Sequence, residues 1–205
     1  MPLSLFAFPP LALWASPLHE AAKNGNISEI KKLVANGEDV TSRDEEALTA
    51  LHWASIRGKL TAAEFLIENG ADINAIDSFG TTVLHMAIFG GEKMVQLLLN
   101  KNADVNKKNY DGAIALHIVA LEGNLNIAAA LISRGSEVNT KTTKNQITPL
   151  YWAAKRGHKD IVELLINNGA NVNPRTKRGK TPLSAAIKKG RRAVAELLWE
   201  HGARE

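Results

Sequence analysis

A chain of 205 residues without a cysteine has no disulfide frame and no thiolate chemistry, which fits a reducing compartment. No apolar run approaches the roughly 20 residues of a membrane-spanning helix. The net charge of +4 conceals an asymmetry: residues 1–140 hold 11 Lys/Arg against 16 Asp/Glu, a net of −5, whereas residues 141–205 hold 14 against 5, a net of +9. One end is mildly acidic and the other strongly basic, which bears on partners.

The first 15 residues, MPLSLFAFPPLALWA, are apolar and uncharged. A secretory signal needs a positive start, and no Lys or Arg precedes Lys23. Pro9 and Pro10 interrupt a helical apolar core, and Pro17 sits close to any cleavage point. The expectation is a segment that covers the exposed core of the first folded unit, anchored by Phe6, Phe8 and Trp14. A targeting peptide or an unusual start is the alternative.

From Ser16 onward the chain repeats itself. SPLHEAAKNGNISEIKKLVANGEDV is succeeded by TALHWASIRGKLTAAEFLIENGADIN at Thr49 and TVLHMAIFGGEKMVQLLLNKNADVN at Thr82. Then come IALHIVALEGNLNIAAALISRGSEVN at Ile114, TPLYWAAKRGHKDIVELLINNGANVN at Thr148 and TPLSAAIKKGRRAVAELLWEHGARE at Thr181. Leu18, Leu51, Leu84, Leu116, Leu150 and Leu183 recur at spacings of 33, 33, 32, 34 and 33. A near-fixed period of this size marks stacked units, none of which buries its apolar face alone. Residues 16–205 therefore form one elongated domain of six repeats.

Each unit carries two helices. Thr49 suits a helix N-cap, and Pro17, Pro149 and Pro182 occupy the first helical position, where the missing N–H costs nothing. The first helix is short and ends at Gly58. The second presents Ala63, Leu66 and Ile67 at helical spacing to the core. Gly70 ends it in a left-handed conformation, as do Gly37, Gly135, Gly169 and Gly202; Asn102, the other residue that tolerates this, stands in the third repeat. Residues 71–79 then extend and turn toward the next unit.

The T-x-L-H starts, the central glycines (Gly25, Gly58, Gly91, Gly123, Gly157, Gly190), the leucine pairs and the GADIN ends resemble the ankyrin repeat throughout residues 16–205. The resemblance implies an all-α, curved solenoid of antiparallel helix pairs with projecting β-hairpin loops, and a non-enzymatic module that binds another protein. It also implies that the histidines at the start motif, His19, His52, His85 and His117, hydrogen-bond to the threonine and to backbone, tying neighbouring repeats. Tyr151 and Ser184 replace them in the last two repeats. Ile114 removes the hydroxyl from the fourth, which puts the tie there in question.

Catalytic motifs are missing. His19-Glu20-x-x-Lys23 lacks the second histidine of a zinc protease helix, and neither a phosphate-binding glycine loop nor a G-x-S-x-G elbow occurs. The reading is no enzyme, no cofactor, no metal and no small-molecule substrate.

In such a stack, function falls to positions that stacking leaves open: the hairpin tips and the concave face of the first helices. The residue after the histidine runs Glu20, Trp53, Met86, Ile118, Trp152, Ala185. Three positions on, the column reads Lys23, Ile56, Phe89, Leu121, Lys155, Lys188. The tips carry Glu45, Glu46, Phe79, Tyr110, Lys144, Lys177 and Arg178. Trp53, Ile56, Phe79, Met86, Phe89, Tyr110, Ile118, Leu121 and Trp152 form an apolar stripe, flanked by Arg57, Lys155 and Arg156, and contiguous apolar surface implies an interface. Trp53 and Trp152 read equally as half-buried fillers between helices; Phe89 and Leu121 stand where polar residues are usual and read as interface.

The basic end holds Arg175, Lys177, Arg178 and Lys180 on the last hairpin and Lys188, Lys189, Arg191 and Arg192 on the last helix pair. It reads as a polar solubilising cap, with a two-part nuclear import signal or a site for nucleic acid or anionic lipid as alternatives. Asn74, Asn106, Asn139 and Asn173 each come eight positions after a leucine (Leu66, Leu98, Leu131, Leu165), a pattern that resembles the one hydroxylated on ankyrin repeats by an asparaginyl hydroxylase. The simpler alternative is an asparagine bonding its own turn. The expectation is a monomeric protein-binding module, cytoplasmic or also nuclear, with secretion as an effector as a further alternative.

Overall fold

The computed structural model describes residues 16–204; the expectation for residues 1–15 lies outside the described residues. Six helix pairs run in order: α1 Pro17–Asn24 and α2 Ile27–Ala35, α3 Ala50–Ile56 and α4 Leu60–Glu68, α5 Val83–Gly90 and α6 Glu92–Asn100, α7 Ala115–Glu122 and α8 Leu125–Ser133, α9 Pro149–Arg156 and α10 Lys159–Asn167, α11 Pro182–Lys188 and α12 Arg192–Glu200. First helices pack on first helices of neighbouring pairs, and second helices on second helices. None exceeds nine residues, too short to persist alone in water, so neighbours supply the stability.

Three of the six first helices have a side-chain N-cap. Thr82 Oγ1 accepts from His85 N–H, Thr148 Oγ1 from Tyr151 N–H and Thr181 Oγ1 from Ser184 N–H, each cap contributing about 1 kcal/mol. At the other end of the repeat Asn102 takes the expected left-handed conformation, with φ 62°.

Leu18, Leu51, Leu84, Leu116, Leu150 and Leu183 are all at most 2% exposed and form the spine of the core. Beside them Ala54, Ala87, Ala153 and Ala186 are fully buried, small enough to let first helices approach closely. The approach is tightest at Gly90, where a Cβ would lie 1.9 Å from the Ser55 carbonyl oxygen.

His19, His85 and His117 tie neighbouring repeats as the resemblance implied, whereas the buried Nε2 of His52 meets no acceptor with hydrogen-bond geometry. Thr49 N–H donates to His52 Nδ1 (3.1 Å), and Thr82 N–H to His85 Nδ1 (3.2 Å). Because Nδ1 accepts, Nε2 carries the proton, and in His85 it donates to the Ala113 carbonyl of the next loop at 3.1 Å. The fourth repeat keeps its tie despite Ile114. Ile114 N–H donates to His117 Nδ1 (3.2 Å), and His117 Nε2–H to the Ile147 carbonyl (3.1 Å). The isoleucine side chain, 0% exposed, has joined the core instead of capping the helix.

The projecting loops are tight turns. Among the described residues no strand forms; the loops hold isolated bridges at Arg43–Thr49 and Ile76–Thr82. Each turn closes with a backbone bond: Asp44 to Leu48, Asp77 to Thr81, Asn109 to Ala113, Thr142 to Ile147 and Thr176 to Lys180. The arms cannot lengthen into a ladder because Thr49 and Thr82, which complete the bridges, are already the N-caps of α3 and α5. Successive tips are bonded to one another: Ser78 N–H to Glu46, Tyr110 N–H to Phe79, Thr143 N–H to Asp111 and Lys177 N–H to Asn145.

The four asparagines form another tie, and it is not to their own turns. Asn106 Nδ2 donates to the Gly135 carbonyl and its Oδ1 accepts from Glu137 N–H, both in the next repeat. Asn139 clasps Gly169 and Asn171 in the same way, and Asn173 clasps Gly202 and Arg204. Asn74 Oδ1 accepts from Asp104 N–H. An amide bears a donor and an acceptor on one group, so it can bond the carbonyl that ends one helix and the N–H two residues on.

Candidate partner-binding face

The first helices and the turns supply the candidate surface, and the structure sorts its residues into three groups. Phe79 (69% exposed), Tyr110 (68%) and Phe89 (38%) present their rings to solvent. Phe79 and Tyr110 sit on adjacent tips joined by the 3.1 Å backbone bond, and the Tyr110 ring lies so close over Gly80 that a Cβ there would meet Cδ1 at 2.7 Å. These aromatics are therefore held in place by backbone. Ile56 and Met86 are half-buried beside them, and Arg57 and Arg156 are exposed.

Ile118 and Leu121 do not belong to an exposed stripe. They are 4% and 8% exposed. Every residue of α7 from Ala115 to Leu121 is buried between α5 and α9. His158 also reaches back from the start of α10, its Nε2 3.2 Å from the Leu121 carbonyl oxygen. A column position that is open where its neighbours are small becomes closed here.

The tryptophans are half-buried braces. Trp53 Nε1–H donates to Asp44 Oδ2 at 2.8 Å, tying α3 to the preceding turn, and Lys23 Nζ lies 5.2 Å from its ring centroid. Trp152 meets Tyr151 edge to face at 6.1 Å and carries the Lys155 ammonium 4.4 Å above its ring.

The basic residues converge more than their sequence positions suggest. Burial, then the positive charges of Lys189, Arg156 and Lys180, lower the Lys155 pKa below its ordinary value. These four cations come from α9, the turn before α11 and the residue that caps α11. Among the described residues the ion pairs are Lys23–Glu20 at 3.3 Å and Lys101–Glu68 at 3.8 Å, so none of the four is ion-paired within the fold. Arg175, Lys177, Arg178, Lys188, Lys189 and Arg191 are all exposed. Arg175 Nη1 donates to the Gly179 carbonyl, and the Arg191 stem lies over Gly157.

The expected polar cap is only partly polar. Ile187 (41% exposed) and Trp199 (54%) occupy columns that earlier repeats cover. Ala22, Ser55, Ile88, Ala120 and Ala154 precede Ile187 and are buried; Val34, Ile67, Ile132 and Ile166 precede Trp199 and pack against the core. In the described residues α11 and α12 have a neighbour on one side alone. Placing each terminal column against a missing neighbour would reveal both residues from sequence. Leu125, 39% exposed at the start of α8, carries no comparable signal.

Among the described residues no group of three or more His, Asp or Glu could hold a metal, and no helix is long and apolar enough to cross a membrane. His52, His85 and His117 are buried at 0%, 1% and 3% exposure, and burial pushes each pKa down to about 4. They are neutral struts at neutral pH.

Comparison with known proteins agrees with this geometry. Family models for ankyrin repeats match residues 18–109 and 116–205, and a second such model matches residues 88–132. The chain belongs to the ankyrin repeat family. Its structure is similar to the ankyrin repeat domain of human ASB11, with a TM-score of 0.81 and 30% identity over 93% of this chain and 85% of that one. It is equally similar to an ankyrin repeat domain from Acinetobacter baumannii, TM-score 0.81 and 35% identity over 92% of this chain and 98% of that one. Among curated proteins, the ankyrin repeat and KH domain-containing protein mask-1 of Caenorhabditis elegans is 34% identical over 156 residues, 76% of this chain. Delta-latroinsectotoxin-Lt1a of Latrodectus tredecimguttatus is 37% identical over 82 residues, 40% of this chain. The chain spans 6% and 7% of the length of these two relatives.

Proposed function

We propose that this chain is a non-enzymatic binding module that recognises another protein through its concave face and turn tips. The observation that carries the reading is the exposure of Phe79 and Tyr110, large rings on adjacent turn tips joined by a backbone bond, with Phe89 exposed on α5. Exposed aromatics impose a solvation cost that a partner relieves, and such residues dominate interface energetics. Fixed tips also reduce the entropy lost on binding. Ankyrin repeats are generally interaction modules, and the buried His85 and His117 imidazoles are engaged in ties between repeats.

The test compares the full chain with a Phe79→Ser, Tyr110→Ser variant as bait. Both positions are exposed, so the fold should survive, as circular dichroism would verify. The variant should lose a partner captured by the wild type, with a penalty of at least about 2 kcal/mol, the hot-spot scale. An unchanged affinity for that partner would refute this use of the face.

A further inference from the structure

The exposed aromatics and the cations without ion pairs occupy first helices and turns at different ends of the stack. Phe89 in α5 and Lys155 in α9 occupy the same column two repeats apart, with the buried Leu121 between them. One position further along the chain, exposed Glu122 stands between Gly90 and Arg156. Along these two columns the first helices pass from Phe89, through the Glu122 carboxylate, to Lys155, Arg156 and Lys189. Helices in contact lie about 8–10 Å apart, so the centre of the apolar group and the cations of the fifth and sixth repeats are separated by about 20–30 Å. An extended peptide covers that distance with about six to nine residues.

Resting on the reading of this face as a protein-binding surface, we infer that its occupant is an extended acidic segment with an aromatic or aliphatic anchor. The anchor seats against Phe79 and Tyr110, whose adjacent tips are joined by a backbone bond. The carboxylates beyond it meet Lys155, Arg156, Lys180 and Lys189. Glu122 repels a carboxylate placed directly between the two, so the anchor and the acidic run are separated by neutral residues.

Two features favour this occupant over a nucleic acid. Among the described residues Lys155, Arg156, Lys180 and Lys189 form no ion pair, while residues 1–140 carry a net of −5 and would repel a polyanion continuing along the rod. The bases of a single strand can stack on Phe79 and Tyr110, but its phosphates would then meet the exposed Asp111 carboxylate beside Tyr110, whereas an apolar side chain brings no charge there. Trp152 adds to the arrangement by holding the Lys155 ammonium 4.4 Å above its ring, at the face rather than dispersed in solvent.

A random-peptide display library selected on the full chain tests the inference. Selected peptides should combine a Leu, Phe or Trp anchor with an acidic run offset from it by a few residues. The best of them should bind a Lys180→Glu, Lys189→Glu variant at least tenfold more weakly. Both positions are exposed, and a melting curve would verify the fold. Replacing that peptide's acidic residues with lysine should restore its affinity for the variant. Selection of neutral or basic peptides that ignore the charge reversal but need Phe79 and Tyr110 would overturn the acidic occupant and leave the protein-binding reading standing. Failure to enrich any peptide would also overturn it. A labelled oligothymidylate that binds more tightly than the peptides and is displaced by none of them would assign the cations to nucleic acid instead.

Discussion

Lowering the pH from 7 to 5 should weaken this fold steeply, because three imidazoles are buried in their neutral form. His52, His85 and His117 each have a pKa pushed down from 6.5 to about 4 by burial. The unfolded chain binds protons near pH 6.5 and the folded chain does not, so stability is fully present above that value and falls as the pH drops toward 4. At pH 5 an unfolded imidazole is almost fully protonated and a folded one about one-tenth so. Linkage then gives a loss of about 2 kcal/mol per histidine, or about 6 kcal/mol for the three. Near pH 5.5 the slope is about 3.5 kcal/mol per pH unit. Glu20 and Asp39, with pKa values lowered by hydrogen bonds to Asn24 and Thr41 respectively, act in the same direction only at more acidic pH. Urea unfolding monitored by circular dichroism at pH 7, 6, 5.5 and 5 measures the slope directly. His85→Gln, which removes one titrating strut, should reduce it by about a third. A slope below about 1 kcal/mol per unit in the wild type would mean that the imidazoles accept protons within the fold and are not dry, neutral struts.

Other substitutions probe the remaining ties. Gly90→Ala would press a Cβ against the Ser55 carbonyl oxygen, and the cost of at least about 2 kcal/mol in chemical denaturation should exceed the roughly 1 kcal/mol gained in helix propensity; a neutral result would show that α3 and α5 separate easily. Ala47 has φ 62° where the second, third and fifth turns have Gly80, Gly112 and Gly179, so Ala47→Gly should raise stability by about 0.5–1 kcal/mol, and a lower melting midpoint would contradict that. Asn106→Ala removes two bonds to the next repeat and should cost about 1–2 kcal/mol, with amide exchange accelerated around Glu137.

The repeat register, the helix ends, the leucine spine and the histidine ties are legible in the sequence because six copies of one pattern overdetermine them. Asn102 is an instance: the residue type alone indicates the left-handed position it takes. What eludes the sequence depends on neighbours one period away. Ile118 and Leu121 share columns with exposed residues, but their burial is decided by the bulk of α7 between α5 and α9. The asparagine clamps join residues 29 to 32 positions apart, beyond the reach of a local turn argument. Trp53 has the look of a candidate contact, yet its indole N–H is committed to Asp44. Lys155 and Arg156 are separated in the sequence from Lys180 and Lys189, and stacking brings them together. Ile187 and Trp199 conform to the core pattern, and only the open side of α11 and α12 exposes them.

The measurement that most directly tests the central claim is site-specific photo-crosslinking. A photoreactive phenylalanine analogue placed at Tyr110, on the proposed binding face, and at Glu163, exposed in α10 on the layer of second helices, reports which surface a captured partner touches. The account predicts covalent adducts from position 110 and none from position 163. Adducts from 163 with none from 110 would place the partner on the opposite layer and contradict it.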